Sequence, residues 1–184
     1  MFNYASQVNL KLDLAASISD VKKTTLLGWL TRDLVESDGE RNRPDGLTSA
    51  RLFSIFDCHR FALIEKLTRL GVPVKAAAKA MSAVYDPTVN EWKEKGTFET
   101  AWIECVFSGL FIAVEQDAGR LVVGTHHIGE LGDWIQNHTA VGIVFPGKVA
   151  AAILARLKHL ETIQTNVALS LKALGLGGDD AAVA

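Results

Sequence analysis

Lys22, Lys23, Thr24 and Thr25 set two ammonium groups and two hydroxyls in unbroken succession. All four side chains donate hydrogen bonds, and two carry positive charge, which suits an anionic oxygen better than a bond-making step. Arg41, Asn42 and Arg43 form a second such set, and Arg51 adds a further guanidinium. A guanidinium presents a planar fork of donors that matches phosphate geometry.

Other chemistries find less support. His126, His127 and His138 suggest a metal, yet adjacent histidines on a strand point to opposite faces, and no cysteine or carboxylate spacing completes a ligand set. Glu104, Glu115 and Glu130 form no acid–base dyad that their spacing can support. Gly124, Gly129 and Gly132 spell neither GxGxxG nor GxxxxGK[ST]. Cys58 and Cys105 lie in no CxxC or zinc spacing and are expected to be buried thiols. The expectation is no cofactor, no metal and no enzymatic activity.

The donors need elements to hold them. Leu10, Leu12, Leu14, Ala15 and Ile18 outline a short helix, and Val21, Leu26, Trp29 and Leu30 a second, after a tight connection over Ser17 to Asp20. Lys22 to Thr25 then occupy the first turn of the second helix, where unpaired backbone N–H groups favour an anion. Leu52, Phe56, Leu63, Leu67 and Leu70 mark a third helix ended by Gly71, and Pro73 opens a fourth. Two short helices followed by a loop with Arg41, Asn42 and Arg43 are the parts of a winged helix-turn-helix, whose second helix fills the major groove of duplex DNA. Ile18, Leu26, Trp29 and Phe53 are expected in the core.

These residues carry a resemblance. Leu12 to Val35, LDLAASISDVKKTTLLGWLTRDLV, is similar to the helix-turn-helix of the MerR family of transcriptional regulators, with Ala16, Val21, Thr25, Leu26, Trp29 and Leu34 in register. Past the wing, Arg51-Leu52-Phe53 resembles the family's Arg-x-Tyr, and Ile64, Leu67, Leu70-Gly71 and Val74 match its next helix, so the likeness covers about residues 10–81. Leu27 and Gly28 stand where the family usually has Arg and Tyr, and the wing is longer than usual. The resemblance implies sequence-specific binding of double-stranded DNA as a homodimer. Lys22, Lys23 and Thr24 would meet bases or nearby phosphates, Thr25 the groove edge, and Arg41, Asn42, Arg43 and Arg51 the backbone.

Beyond Met81 the period changes. Asp86-Pro87 and Lys95-Gly96 punctuate a polar stretch read as a linker over 83–97. Trp102 to Val114 and Leu121 to Val123, joined at Asp117-Ala118-Gly119, predict a β-hairpin, and Val141 to Phe145 a further strand. Pro146-Gly147 then opens a long helix whose stripe of Val149, Ile153, Leu157, Leu160, Ile163, Val167, Leu171 and Leu174 suits a dimer interface or packing within its own lobe. Small residues over 175–184 read as a frayed tail.

Composition fits this organisation. With 184 residues, 48% of them hydrophobic and 22% charged, the chain has a folded protein's profile. No apolar run approaches the roughly 20 residues of a membrane span, and no secretory signal is visible at Met1, so a cytoplasmic protein is expected. Residues 1–82 hold 12 Lys and Arg against 9 Asp and Glu, whereas residues 83–184 hold 7 against 12. A basic head meeting an anion and an acidic body is the polarity this suggests. The fold expected is α+β: a MerR-like winged helix-turn-helix over 1–82 and a dimerisation or effector lobe over 98–174, with a β-hairpin and a long terminal helix. A bacterial or phage-type transcription factor is the function this implies, open to a small-molecule or protein effector. The other reading, favoured by Leu27 and Gly28, is a protein-interaction or ligand-sensing module with a degenerate helix-turn-helix.

Overall fold

The computed structural model describes residues 10–37, 51–83 and 109–173. Helices α1 (Leu12–Ser19), α2 (Lys23–Thr31) and α3 (Ile55–Arg69) come first, and residues 74–83 are also helical (α4). Strands β1 (Leu110–Asp117) and β2 (Arg120–His127) follow, then a 3-10 turn over Ile128–Glu130, helix α5 (Leu131–Asn137), strand β3 (Ala140–Val144) and helix α6 (Pro146–Ala173). The fold is α+β, with an antiparallel sheet in the order β2-β1-β3. Described residues up to Ile153 belong to one compact unit, and those from Leu154 onward to a second.

Helix α3 is the core of the first unit. Every residue from Ile55 to Ile64 is buried, including Asp57, Cys58, His59 and Arg60. A helix without a wet side must find partners for its polar groups inside the protein. Ser54 and Asp57 close a capping box: the Asp57 N–H donates to Ser54 Oγ (3.0 Å), and the Ser54 N–H donates to Asp57 Oδ2 (2.9 Å). His59 Nε2 lies 2.9 Å from the carbonyl oxygen of Pro146, the first residue of α6. That oxygen only accepts, so Nε2 carries a proton. Burial pulls the His59 pKa down to about 4, against a smaller upward pull from the Pro146 carbonyl. Burial, aided by the Asp57 charge, pushes the Cys58 thiol well above its usual range, so this cysteine is the inert thiol expected.

The first three helices end in one way. Val21 N–H donates to Ala16 O and Asp20 N–H to Ser17 O; Leu34 to Trp29 and Asp33 to Leu30; Val72 to Leu67 and Gly71 to Thr68. Each pair is a Schellman motif, with a left-handed residue (φ 59° at Asp20, 49° at Asp33, 91° at Gly71) and an apolar residue behind it. The expected turn over Ser17 to Asp20 therefore lies later, at Asp20 to Lys22, because α1 continues until Asp20 takes the left-handed conformation. Similarly, α3 starts at Ile55 rather than Leu52, since Ser54 is its N-cap.

The hairpin forms as the sequence predicts, with Ala118 and Gly119 both at positive φ as a two-residue type I′ connection requires. Strand β2 extends past Val123 to His127. On one sheet face, Phe111 and Ala113 are buried under Trp134 of α5, beside Ile143. On the other, Ile112, Val114 and Val144 are buried, and Gly142 approaches Leu70 so closely that a Cβ there would lie 2.6 Å from Leu70 Cδ2. The sheet is thus seated on the end of α3. The linker expected over 83–97 lies, from residue 84 on, outside the described residues, as do Trp102 to Ser108 and the tail over 175–184.

His59 makes stability depend on pH. Its folded pKa, about 4, lies below the 6.5 of an unperturbed histidine, so between those values the unfolded chain holds more protons. The stabilisation is complete above the higher value and is lost as pH falls through the window, at no more than about 1.4 kcal/mol per pH unit. Thermal melting at pH 7 and pH 5 should show a larger drop for the wild type than for His59→Gln, which keeps a donor but does not titrate. Equal drops would remove His59 from the account.

Candidate nucleic-acid interface

Helices α1 and α2 pack on each other, and α1 packs on α3. Ala15, Ala16 and Ile18 of α1 and Leu26, Trp29 and Leu30 of α2 are buried, so each helix has one face fixed to the core. Leu10 and Phe53 exchange both backbone hydrogen bonds (3.0 and 2.8 Å), tying the chain before α1 to the chain before α3. The core assignments of Ile18, Leu26, Trp29 and Phe53 hold.

This anchoring turns the first turn of α2 outward. Lys22 is the N-cap residue, without a capping side-chain bond, and Lys22, Lys23 and Thr24 are exposed while Thr25 is half-buried. Lys23 Nζ meets Asp13 Oδ1 of α1 at 2.6 Å, with the two side chains 57% and 72% exposed. At that exposure the pair contributes well under about 1 kcal/mol, so an anionic ligand can take the ammonium at small cost. Arg41, Asn42 and Arg43 lie outside the described residues. Arg51 is half-buried, and its Nε is buried with no hydrogen-bond partner among the described residues. Of the carboxylates of α3, Asp57 closes the cap and Glu65 accepts from Arg69 Nε at 3.0 Å.

The exposed face of α2 continues beyond the residues the sequence singles out. Leu27 is 48% exposed between buried Leu26 and Trp29, and Gly28, Thr31 and Arg32 extend the same side. Thr31 Oγ1 donates to Leu27 O (2.8 Å) and Arg32 Nε to Gly28 O (2.9 Å). Spacing by three and four from Thr24 would have marked Leu27 and Thr31 as neighbours on that side.

The histidines are divided as strand alternation requires. His126 stacks on Phe111 (5.1 Å between centroids), His138 stacks on Trp134 (5.0 Å), and His127 is exposed. Among the described residues no group of three or more His, Cys, Asp or Glu is placed to hold a metal ion. No described helix is long and apolar enough to cross a membrane. Of the proposed dimer stripe, Ile153 is 1% exposed and belongs to the first unit. Val149, Leu157 and Leu160 are half-buried, while the side chains of Ile163, Val167 and Leu171 lie outside the described residues.

No protein-family model matches the chain, and no curated protein matches it.

The face rests on Trp29, which is 4% exposed and whose carbonyl accepts the Leu34 N–H that closes α2. Trp29→Ala should cost about 3 to 5 kcal/mol in a denaturant melt. An unchanged melt would show that the indole serves a partner rather than the core.

Proposed function

We propose that the chain is a sequence-specific, MerR-like transcriptional regulator that binds duplex DNA as a dimer, with α1 and α2 as its helix-turn-helix. The observation that carries this reading is the pairing of α2 with α1: one face is locked by Leu26, Trp29 and Leu30, and the other presents Lys22, Lys23 and Thr24. A helix held in this way can enter the major groove with its N-terminal residues at base edges. The register of residues 10–81 with the MerR pattern supports the same reading, as does the basic balance of residues 1–82.

Salt is the first test. Purified protein should enrich particular duplexes from a random pool, with log K falling against log salt by about 0.9 per phosphate neutralised. Lys23→Ala should change which sequences are enriched, whereas Arg43→Ala should weaken all of them about evenly. Absence of enrichment at every salt concentration would reject the reading.

A head with few cations reads only a short half-site, so two heads joined on a two-fold axis gain affinity through effective concentration. The segment beyond Ile153 supplies Leu157 and Leu160 for that junction. Leu160→Glu should yield monomers in sedimentation equilibrium while the head keeps its melting behaviour. A wild-type monomer that binds one half-site as tightly as a palindrome would reject the dimer.

A further inference from the structure

We infer that the exposed side of α2 around Leu27 reads the 5-methyl group of thymine in the major groove; the inference rests on the DNA-binding reading of α2 and deepens it. Leu27 is 48% exposed although its neighbours Leu26, Trp29 and Leu30 are buried, so about half of its side chain is open to a partner. Thr31 turns its hydroxyl back onto the Leu27 carbonyl (2.8 Å), which leaves its methyl as the outward group. Among the described residues nothing requires a glycine at Gly28: its backbone is ordinary helix, and an added Cβ would meet only Arg32 Nη2 at a comfortable 3.5 Å. A glycine there costs about 1 kcal/mol relative to alanine, so the flat spot it makes serves something outside the chain.

Leu27, Gly28 and Thr31 thus make a low apolar step in the middle of the helix. Cations bracket it, with Lys22 and Lys23 at the N-terminal end and Arg32, its Nε fixed to Gly28 O at 2.9 Å, toward the C-terminal end. That bracket matches two lines of phosphates across a groove. A leucine set against the polar edge of guanine, cytosine or adenine would leave donors or acceptors unpaired, a costly arrangement. Thymine alone offers an apolar group in the major groove. Specificity here comes from a methyl contact where the family that this segment resembles usually places an arginine.

The test replaces thymines of the selected duplex, one at a time, by deoxyuridine, which removes only the methyl. Wild-type affinity should fall about three- to fivefold at one or two positions, the effect of exposing one buried methyl. Leu27→Ala should lose a similar factor on the thymine duplex and become indifferent to the methyl, with an unchanged thermal melt because the side chain is half in solvent. Leu27→Met, which keeps an apolar reach, should retain the dependence. A wild-type protein that binds its selected duplex equally well with deoxyuridine at every position, or a selected site without thymine, overturns the inference and leaves DNA binding intact. Failure to enrich any duplex overturns both and turns the face over to a protein groove.

Discussion

A helical stretch buried around its whole circumference must have its polar groups answered from within the protein, and Ile55 to Ile64 of α3 impose that demand on the rest of the first unit. Asp57 meets it locally, by closing the cap at Ser54. His59 meets it at long range, since its ring reaches across to Pro146 and so fixes where α6 begins. A buried imidazole left without that carbonyl would carry a desolvation penalty of roughly 1 to 3 kcal/mol. The strand before Pro146 is constrained with it: β3 must pass close to the end of α3, and Gly142 is the residue whose missing side chain lets Leu70 in. The helical and β parts are therefore joined by chemistry as well as by packing.

The same economy governs how the small helices stop. At Asp20 and Asp33 the chain takes a left-handed conformation that few residues other than glycine tolerate, and the apolar residue just beyond, Val21 or Leu34, donates its N–H back into the helix. Aspartate is among the few side chains that accept this conformation. The turn between α1 and α2 is consequently closed by backbone hydrogen bonds and by a buried Val21. An interface built on α2 rests on that closure.

Much of this was open to reading in the residues. Apolar period marked α1, α2, the hairpin strands and α6, and it assigned Ile18, Leu26, Trp29 and Phe53 to the core, because each element exposes one face and hides another. Period marks α3 as a helix but not the extent of its burial, since Asp57, Cys58, His59 and Arg60 interrupt the apolar pattern and are buried nevertheless. It fails for α5, whose seven residues hold one buried side chain, Trp134, too little for a repeat. The connection at Asp20 is legible, but a left-handed aspartate, as at Asp20 and Asp33, is a weaker stop signal in sequence than the glycine at Gly71. The pairing of His59 with Pro146 spans 87 residues and has no local trace. In the candidate site, cation types pointed to Lys22 and Lys23, whereas the exposure of Leu27 depends on which side of α2 faces α1 and emerges only with the packing.

Charge sets a limit on how α2 can work under the proposed reading. Around α1 and α2 the exposed cations Lys11, Lys22, Lys23 and Arg32 stand against Asp13, Asp20 and Asp33, and Lys23 is already paired with Asp13. A surface so nearly balanced gives little long-range attraction, and what it gives is screened beyond about 10 Å at moderate salt. The non-specific affinity for a polyanion that α1 and α2 contribute, which grows with the number of phosphates neutralised, is correspondingly small. Two ways of recovering affinity remain to such a head. One is to make contacts that do not depend on charge, which is what an exposed leucine beside a glycine provides. The other is to tether two heads, so that the second binds at high effective concentration once the first is placed. A head of this kind should be silent on random DNA and selective on a paired site, because each of its modest contacts counts only when geometry lets all of them form together.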